Sequence, residues 1–283
     1  MAEQSASPRT PLSRPRTPAL LIHGMWCTGT DWDRIRQMLD ARGFDCHAPT
    51  LPAHQPTPDQ PLQVGAMSLQ DYLRFLEREV TAQEWQSPPV LIGHSMGGAL
   101  AQQLATRVEC RALVLLTPAL PWGMNILSWS NFKAFFAAFA RWGFWRRPHK
   151  PSRRMASYAA FNGLPEARHD VLYQRMVHES GRAAFELAFW WADLRRASRA
   201  EADRVRCPVY IVSAGADRLT PSRHVRKLLR RYPSARLRHY PDRGHWVIDD
   251  EHTDEMMNGI CSWLRPLEER PVPVTAQPAG LTA

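Results

Sequence analysis

Short apolar runs alternate with longer amphipathic stretches along most of this chain, and the two patterns predict different elements. Runs of five or six residues that are apolar or alternate in polarity predict β-strands, whereas apolar residues at helical spacing predict helices. The predicted strands lie at 19–23, 44–48, 89–93, 112–117, 208–213 and 235–240. The predicted helices lie at 30–42, 68–86, 96–108, 220–231 and 250–264. Strands that alternate with helices favour an α/β fold whose doubly wound, mostly parallel sheet has helices on both faces.

A long interval of about 90 residues separates the fourth and fifth predicted strands, and it contains no alternating strand pattern. Four amphipathic stretches predict helices there instead. These helices are predicted at 126–141, 153–162, 165–178 and 181–200. We expect this insert, residues 119–204, to be a helical unit added to a core of residues 18–118 and 205–265. Residues 1–17 and 266–283 are rich in proline and lack periodic apolar positions, so we expect flexible tails.

The length of the chain indicates its domain organisation, and its charge indicates which partners to expect. A chain of 283 residues slightly exceeds the size at which one core stops growing, which favours one large domain plus an insertion. Of its 36 cations, 33 are arginines spread over the whole chain, so the net charge of +9 indicates a compositional bias, and we expect no nucleic-acid partner. Basic and aromatic residues nevertheless interleave over 141–154, which leaves open a peripheral contact with a membrane or an acyl-carrier protein. The cations named for that contact are Arg146, Arg147, Arg153 and Arg154.

The cysteines and the lack of long apolar runs indicate the cellular compartment in which we expect this protein. No apolar run approaches the roughly 18 residues of a membrane-spanning helix, and the N-terminus lacks the apolar region of a secretory signal. The five cysteines form no C-x-x-C pair and no cluster typical of a metal site. An odd and scattered set indicates reduced thiols in a cytoplasmic protein. The sequence leaves the oligomeric state open.

A Gly-x-Ser-x-Gly segment, Gly93-His94-Ser95-Met96-Gly97, joins the predicted strand 89–93 to the predicted helix 96–108. So tight a turn from strand to helix requires small residues two positions before and after the serine, and glycine occupies both positions. The strain of this turn lifts the Ser95 hydroxyl clear of the sheet. The backbone N–H of Met96, at the start of the helix, can then face a developing oxyanion.

Two candidate partners for this serine follow later in the chain. Asp217 and His245 each come shortly after a predicted strand, at the edge of the sheet where the serine also lies. Because a serine hydroxyl is a poor nucleophile, His245 must take its proton and Asp217 must fix the imidazole tautomer and support the imidazolium. Asp242 and Asp249 are weaker candidates for the acid because they lie beside the histidine rather than on the preceding loop.

The order serine, acid, histidine resembles that of the α/β-hydrolase fold family. A second match is His23-Gly24-Met25, since the family has a His-Gly turn after its first central strand. The resemblance implies that the Met25 backbone N–H is the second oxyanion donor, beside that of Met96. The segment Leu51-Pro52-Ala53-His54 stands where the family commonly has Leu-Pro-Gly-His-Gly, and the second glycine of that pattern is absent here.

The resemblance covers residues 18–118 and 205–265 and sets further expectations for the fold. The family usually has two strands before the His-Gly turn, but only about 18 proline-rich residues precede the first predicted strand here. We therefore expect a shortened sheet of six strands. In this fold, an insert at 119–204 forms a cap, or lid, over the nucleophile.

The function that the resemblance implies is a serine hydrolase that cleaves an ester-like acyl bond through an acyl-enzyme, with no metal or organic cofactor. Many aromatic residues in the insert predict an apolar pocket for a small-molecule acyl substrate. The predicted substrate contacts are Trp26, Trp122, Phe132, Phe136 and Trp246. A thioesterase or acyltransferase, a lactonase and a hydrolase of C–C bonds use the same three residues. A receptor that keeps them for ligand capture without turnover is the non-enzymatic alternative.

Overall fold

Six strands form one parallel sheet in the computed structural model, which describes residues 16–125 and 127–268. Two further short strands form a separate pair among the described residues. In chain order the eight described strands are β1 (Thr17–Ile22), β2 (Phe44–His47), β3 (Val90–His94), β4 (Ala112–Leu116), β5 (Pro148–His149), β6 (Glu179–Ser180), β7 (Val209–Ala214) and β8 (Arg236–Tyr240). The sheet has the order β2-β1-β3-β4-β7-β8, and every neighbouring pair in it is parallel. This confirms the predicted six-stranded α/β fold.

Helices cover both faces of the sheet, as the alternation along β1 shows. Ala19 and Leu21 belong to one apolar cluster, whereas Leu20 and Ile22 belong to the other. Side chains of a strand point alternately to opposite faces, so both faces of β1 are buried. The edge strand β8 instead alternates between exposed and half-buried residues.

The helices begin and end close to the predicted positions, with several differences. In chain order they are α1 (Asp33–Asp40), α2 (Gln60–Val64), α3 (Leu69–Ala82), α4 (Met96–Leu104), α5 (Trp129–Phe139), α6 (Arg153–Ala159), α7 (His169–Arg175), α8 (Gly181–Ala188), α9 (Ser222–Val225) and α10 (Thr253–Glu268). The helix predicted at 181–200 ends early, and the chain continues in turns. The helix predicted at 220–231 is α9 followed by a 3₁₀ helix. The sequence analysis missed α2, whose five residues are too few for a periodic pattern.

The insert, residues 119–204, contains α5 to α8, and it also contains a short antiparallel pair that the sequence did not predict. Strand β5 pairs with β6. Each strand is only two residues long, which is too short to show an alternating pattern in the sequence. Helix α5 is capped reciprocally by Ser128 and Asn131, since each backbone N–H donates to the other's side chain at 2.8 and 3.3 Å. The division of the chain into a core and a cap stays a prediction.

The structure also bears on the predicted tails, the cysteines and the predicted absence of a membrane-spanning helix. The predicted tails 1–17 and 266–283 lie mostly outside the described residues, but β1 begins at Thr17 and α10 continues to Glu268. The cysteines are less scattered than expected: the Sγ atoms of Cys110 and Cys207 lie 3.1 Å apart because neighbouring strands β4 and β7 bring them together. Within residues 16–125 and 127–268, no helix combines the length and the apolar character needed to cross a bilayer.

Candidate active site

Ser95 lies at the turn between β3 and α4, in a backbone conformation that few residues other than glycine adopt. Its φ is 55° and its ψ is −122°, which is a strained region for an L-residue. A Cβ atom on Gly97 would lie 2.0 Å from the Ile22 carbonyl oxygen, and one on Gly93 would lie 2.3 Å from the Gly97 carbonyl oxygen. The two glycines therefore let α4 approach the sheet closely, and the Ser95 side chain lines an adjoining cavity.

Asp217 lies in the loop after β7, and both oxygens of its carboxylate are hydrogen-bonded. One oxygen, Oδ1, accepts the backbone N–H groups of Leu219 and Thr220, each at 2.8 Å. The other, Oδ2, lies 2.7 Å from the Thr220 hydroxyl and 2.8 Å from Nδ1 of His245. Burial by itself would raise the pKa of Asp217, but the nearby His245 and these hydrogen bonds outweigh it and lower that pKa. Asp217 is therefore held as an anion.

His245 is buried beside the serine turn and is held there by its backbone. Its carbonyl oxygen accepts hydrogen bonds from Nε2 of His94 at 3.1 Å and from the Thr117 hydroxyl at 3.2 Å. Since Nδ1 faces the Asp217 carboxylate, the proton belongs on Nδ1, and Nε2 is left as the acceptor that a general base needs. Within the described residues the Ser95 hydroxyl makes no hydrogen bond to this ring. Catalytic hydrogen bonds of this kind often tighten only when substrate binds.

The loop after β1 packs directly against the serine. A Cβ atom on Gly24 would lie 2.8 Å from Cβ of Ser95, so only glycine fits there. His23 shapes the loop from below, because its Nδ1 donates to the Gly24 carbonyl at 2.9 Å and its Nε2 accepts the Leu51 N–H at 3.0 Å. Burial and the neighbouring His54 lower the pKa of His23 to about 3, which keeps this ring neutral.

The two predicted oxyanion donors flank the same cavity. Met25 and Met96 both line it together with Ser95. Neither backbone N–H has a hydrogen-bond acceptor among the described residues, so both are free to bind a ligand oxygen. The next residue, Trp26, has a φ of 65° and is held by the insert. Its carbonyl accepts the Val177 N–H at 2.9 Å, and its indole N–H donates to the His149 carbonyl at 3.2 Å.

The cavity is narrow and mostly apolar, with walls from both the core and the insert. Helix α5 contributes Asn131, Phe135 and Phe139, and α8 contributes Leu187. The side-chain amide of Asn131 donates to the Leu219 carbonyl at 3.2 Å, which ties α5 to the loop that carries Asp217. The remaining lining residues are Met25, Trp26, Ser95, Met96, Ala119, Leu127, Ala184, Ala188, Leu219 and Thr220.

Of the five predicted aromatic contacts, Trp26 lines this cavity and the other four lie elsewhere. Phe132 and Phe136 lie on the outer face of α5 and are 37% and 56% exposed. Trp122 packs against Trp190, with ring centroids 5.4 Å apart, and Trp246 is buried against the rings of His94 and Phe161. The sequence analysis did not separate the two faces of α5. The spacing of four residues that joins positions 131, 135 and 139 is the signal that identifies the inner face.

A buried ion pair joins the insert to the core beneath the Gly24 loop. Nε2 of His54 lies 3.0 Å from Oε2 of Glu179, and both side chains are fully buried. Oε1 of Glu179 accepts the Tyr72 hydroxyl at 2.8 Å and the Ser180 N–H at 2.7 Å. Burial lowers the pKa of His54, but the Glu179 charge and hydrogen bond outweigh it and raise that pKa. The sequence places His54 in the segment that matches the family's Leu-Pro-Gly-His-Gly pattern, but it gives no signal for Glu179.

A strained serine, an oriented imidazole, a buried carboxylate and two unpaired N–H groups are the kinds of group that acyl-transfer chemistry uses. Ser95, Met25 and Met96 line one apolar cavity, and the buried His245–Asp217 pair lies beside the serine turn. No cofactor is needed for any of these roles.

Comparisons with known proteins point to one family. The model of the alpha/beta hydrolase family matches residues 19–258. The chain is 37% identical over 89 residues to a pyrethroid hydrolase from Sphingobium wenxiniae, covering 31% of this chain and 30% of that enzyme. It is 27% identical over 188 residues to the mouse (Mus musculus) sn-1-specific diacylglycerol lipase ABHD11, covering 62% of this chain and 59% of that enzyme. The matches thus span less than two thirds of these two relatives.

A solved structure supports the same assignment at the level of the fold. The methylesterase MES16 from Arabidopsis superposes with a TM-score of 0.66 at 13% identity, covering 88% of this chain and 99% of that one. With the family match over most of its length, the chain belongs to the alpha/beta hydrolase family.

Proposed function

We propose that this chain is a serine hydrolase that cleaves the ester-like acyl bond of an apolar small molecule. The observation that carries the proposal is the buried His245–Asp217 pair, joined at 2.8 Å, beside the strained Ser95 in an apolar cavity. The similar proteins named above are a hydrolase, a lipase and a methylesterase by name, which supports the same reaction class.

The mechanism follows from the roles of the three side chains. Nε2 of His245 takes the proton of Ser95 as its Oγ attacks the acyl carbon, and Asp217 holds the imidazole and stabilises the imidazolium. The N–H groups of Met25 and Met96 stabilise the oxyanion of the tetrahedral intermediate. His245 then gives its proton to the leaving alcohol, and an acyl-enzyme remains. Water activated by the same imidazole releases the acid and frees Ser95.

The cavity suggests how the acyl group is selected. Phe135, Phe139 and Leu187 offer apolar surface and no charged group. Each methylene of the acyl chain that is buried against them contributes about 0.8 kcal/mol. Because this corresponds to about fourfold in kcat/KM, we expect kcat/KM to rise from acetate to butyrate esters and to level off once the cavity is filled.

The test uses a series of p-nitrophenyl esters from acetate to palmitate together with a fluorophosphonate probe. We expect the probe to modify Ser95, and we expect Ser95→Ala to lose about 10⁴–10⁶-fold in kcat. The matched control is Ser262→Ala, since the Ser262 hydroxyl only donates to the Asn258 carbonyl of its own helix. Esterase activity that survives in Ser95→Ala contradicts the proposal. Probe modification with a single turnover and no further cycles favours the ligand-capturing receptor instead.

A further inference from the structure

A large aromatic surface lies exposed on the outside of the insert. Trp129 and Trp142 are 78% and 87% exposed, and Phe136 and Trp191 are 56% and 53% exposed. Soluble proteins rarely leave so many large apolar side chains together on the surface unless another molecule covers them. We call this surface, together with Arg141, Arg146 and Arg147, the outer insert face.

The exposed rings are continuous with the candidate active site through ring contacts. Trp129 stacks on Phe132 with centroids 6.2 Å apart, and Phe132 contacts Phe139 at 6.5 Å. Phe139, which lines the catalytic cavity, contacts Phe189 at 4.9 Å, and Phe189 contacts Trp191 at 5.5 Å. Helix α5 thus has one face in the catalytic cavity and the other on the outer insert face. The rings that join the two faces carry no charge.

The charges in the segment that carries Trp129, Phe136 and Trp142 have one sign. Residues 110–165 contain no aspartate or glutamate but eight arginines and lysines. Arg141, Arg146 and Arg147 are exposed, and none of their guanidinium groups forms an ion pair or hydrogen bond within the described residues. Arginines elsewhere in the fold are often paired, as Arg243 is with Asp250 at 2.7 Å. The outer insert face therefore combines exposed tryptophans with unpaired positive charge.

We propose, on the basis of the hydrolase function proposed above, that the outer insert face docks the enzyme onto anionic phospholipid bilayers, from which it takes its apolar ester substrate. Tryptophan rings favour the boundary between lipid tails and water, and guanidinium groups bind the phosphates of anionic lipid headgroups. Beside α5, an open groove lined by Arg141, Trp142, Trp145, Phe185 and Phe189 provides both kinds of contact. Docking there places the catalytic cavity directly behind the helix that touches the membrane.

The test measures binding apart from catalysis, with Ser95→Ala protein sedimented with vesicles. We expect binding to phosphatidylglycerol–phosphatidylcholine vesicles that weakens with added salt, and little binding to pure phosphatidylcholine. Replacing Arg141, Arg146 and Arg147 by Gln should weaken binding about 100-fold, since each charge contributes about fivefold. Trp129→Ala with Trp142→Ala should weaken it further.

The matched control replaces three exposed arginines of the core, Arg78, Arg236 and Arg265, by Gln. The docking proposal is overturned if this control weakens vesicle binding as much as the insert variant does, or if neither variant changes it. It is also overturned if the protein binds an acidic acyl-carrier protein but no vesicle, or if sedimentation velocity shows that a second copy of the chain covers the face. With Ser95 intact, each insert variant should hydrolyse the soluble butyrate ester at the wild-type rate. If the wild-type protein binds vesicles but does not hydrolyse the butyrate ester, the proposed hydrolase function is contradicted and the docking proposal stands.

Discussion

The carboxylate of Asp217 allows a sharp test because its two oxygens have different partners. Oδ1 accepts two backbone N–H groups, at 2.8 Å each, and Oδ2 accepts the Nδ1–H of His245 at 2.8 Å. In Asp217→Asn the backbone N–H groups hold the amide oxygen at the Oδ1 position. The amide NH₂ must then face His245, and it can only donate to Nδ1. The imidazole proton moves to Nε2, where it blocks the acceptor that Ser95 needs.

We therefore expect Asp217→Asn to lower kcat by about 10⁴-fold, the size of effect that a wrong tautomer has in another serine hydrolase. This corresponds to about 5 kcal/mol of transition-state stabilisation. The assay is steady-state hydrolysis of p-nitrophenyl butyrate, with a thermal melt to show that the variant is folded. The control is Asp242→Asn, which removes the same charge from an exposed position near His245.

A folded Asp217→Asn protein whose kcat stays within tenfold of wild type refutes the assigned role of Asp217. An equal loss in Asp242→Asn would mean that the negative charge matters rather than the hydrogen bond.

Buried histidines and close-packed glycines give two further expectations. Burial lowers the pKa of His23 and of His94 to about 3, so each remains unprotonated in the fold but binds a proton when the chain unfolds below about pH 6.5. Their contribution to stability is complete above that pH and is lost as the pH falls, at about 2.7 kcal/mol per pH unit for the two together. Urea denaturation between pH 6 and 4 measures the pH dependence of stability, and His94→Gln should reduce its slope by about 1.4 kcal/mol per pH unit. Gly24→Ala, whose new methyl group would lie 2.8 Å from Cβ of Ser95, should lower kcat about 100-fold. Gly259→Ala, whose methyl group would meet no atom closer than 3.8 Å, should leave kcat unchanged and raise Tm by about 2–4 °C.

Equal slopes in wild type and His94→Gln would show that other groups cause the acid sensitivity. Wild-type turnover by Gly24→Ala would show that the loop does not need to lie so close to the serine.

Local pattern alone predicted most of the sheet and the catalytic candidates. Strands such as β3 and β4 are continuous apolar runs because both of their faces are buried, so their positions can be read without knowing their neighbours. The glycines that flank Ser95 reflect a local steric requirement, and Asp217 and His245 follow their strands directly in the chain. The sequence therefore determined the fold class, the order of the strands along the chain and the three candidate residues.

Only the tertiary structure decided which groups from distant segments meet. The pairing of His54 with Glu179 spans 125 residues, and it depends on how the insert folds back onto the core. The part of α5 that faces the cavity was harder to predict, because its four phenylalanines form one broad apolar stripe. Packing against neighbouring elements decides that Phe135 and Phe139 line the cavity whereas Phe132 and Phe136 are exposed. Local sequence fixes backbone conformation over a few residues, whereas the closeness of remote side chains is a property of the packed whole.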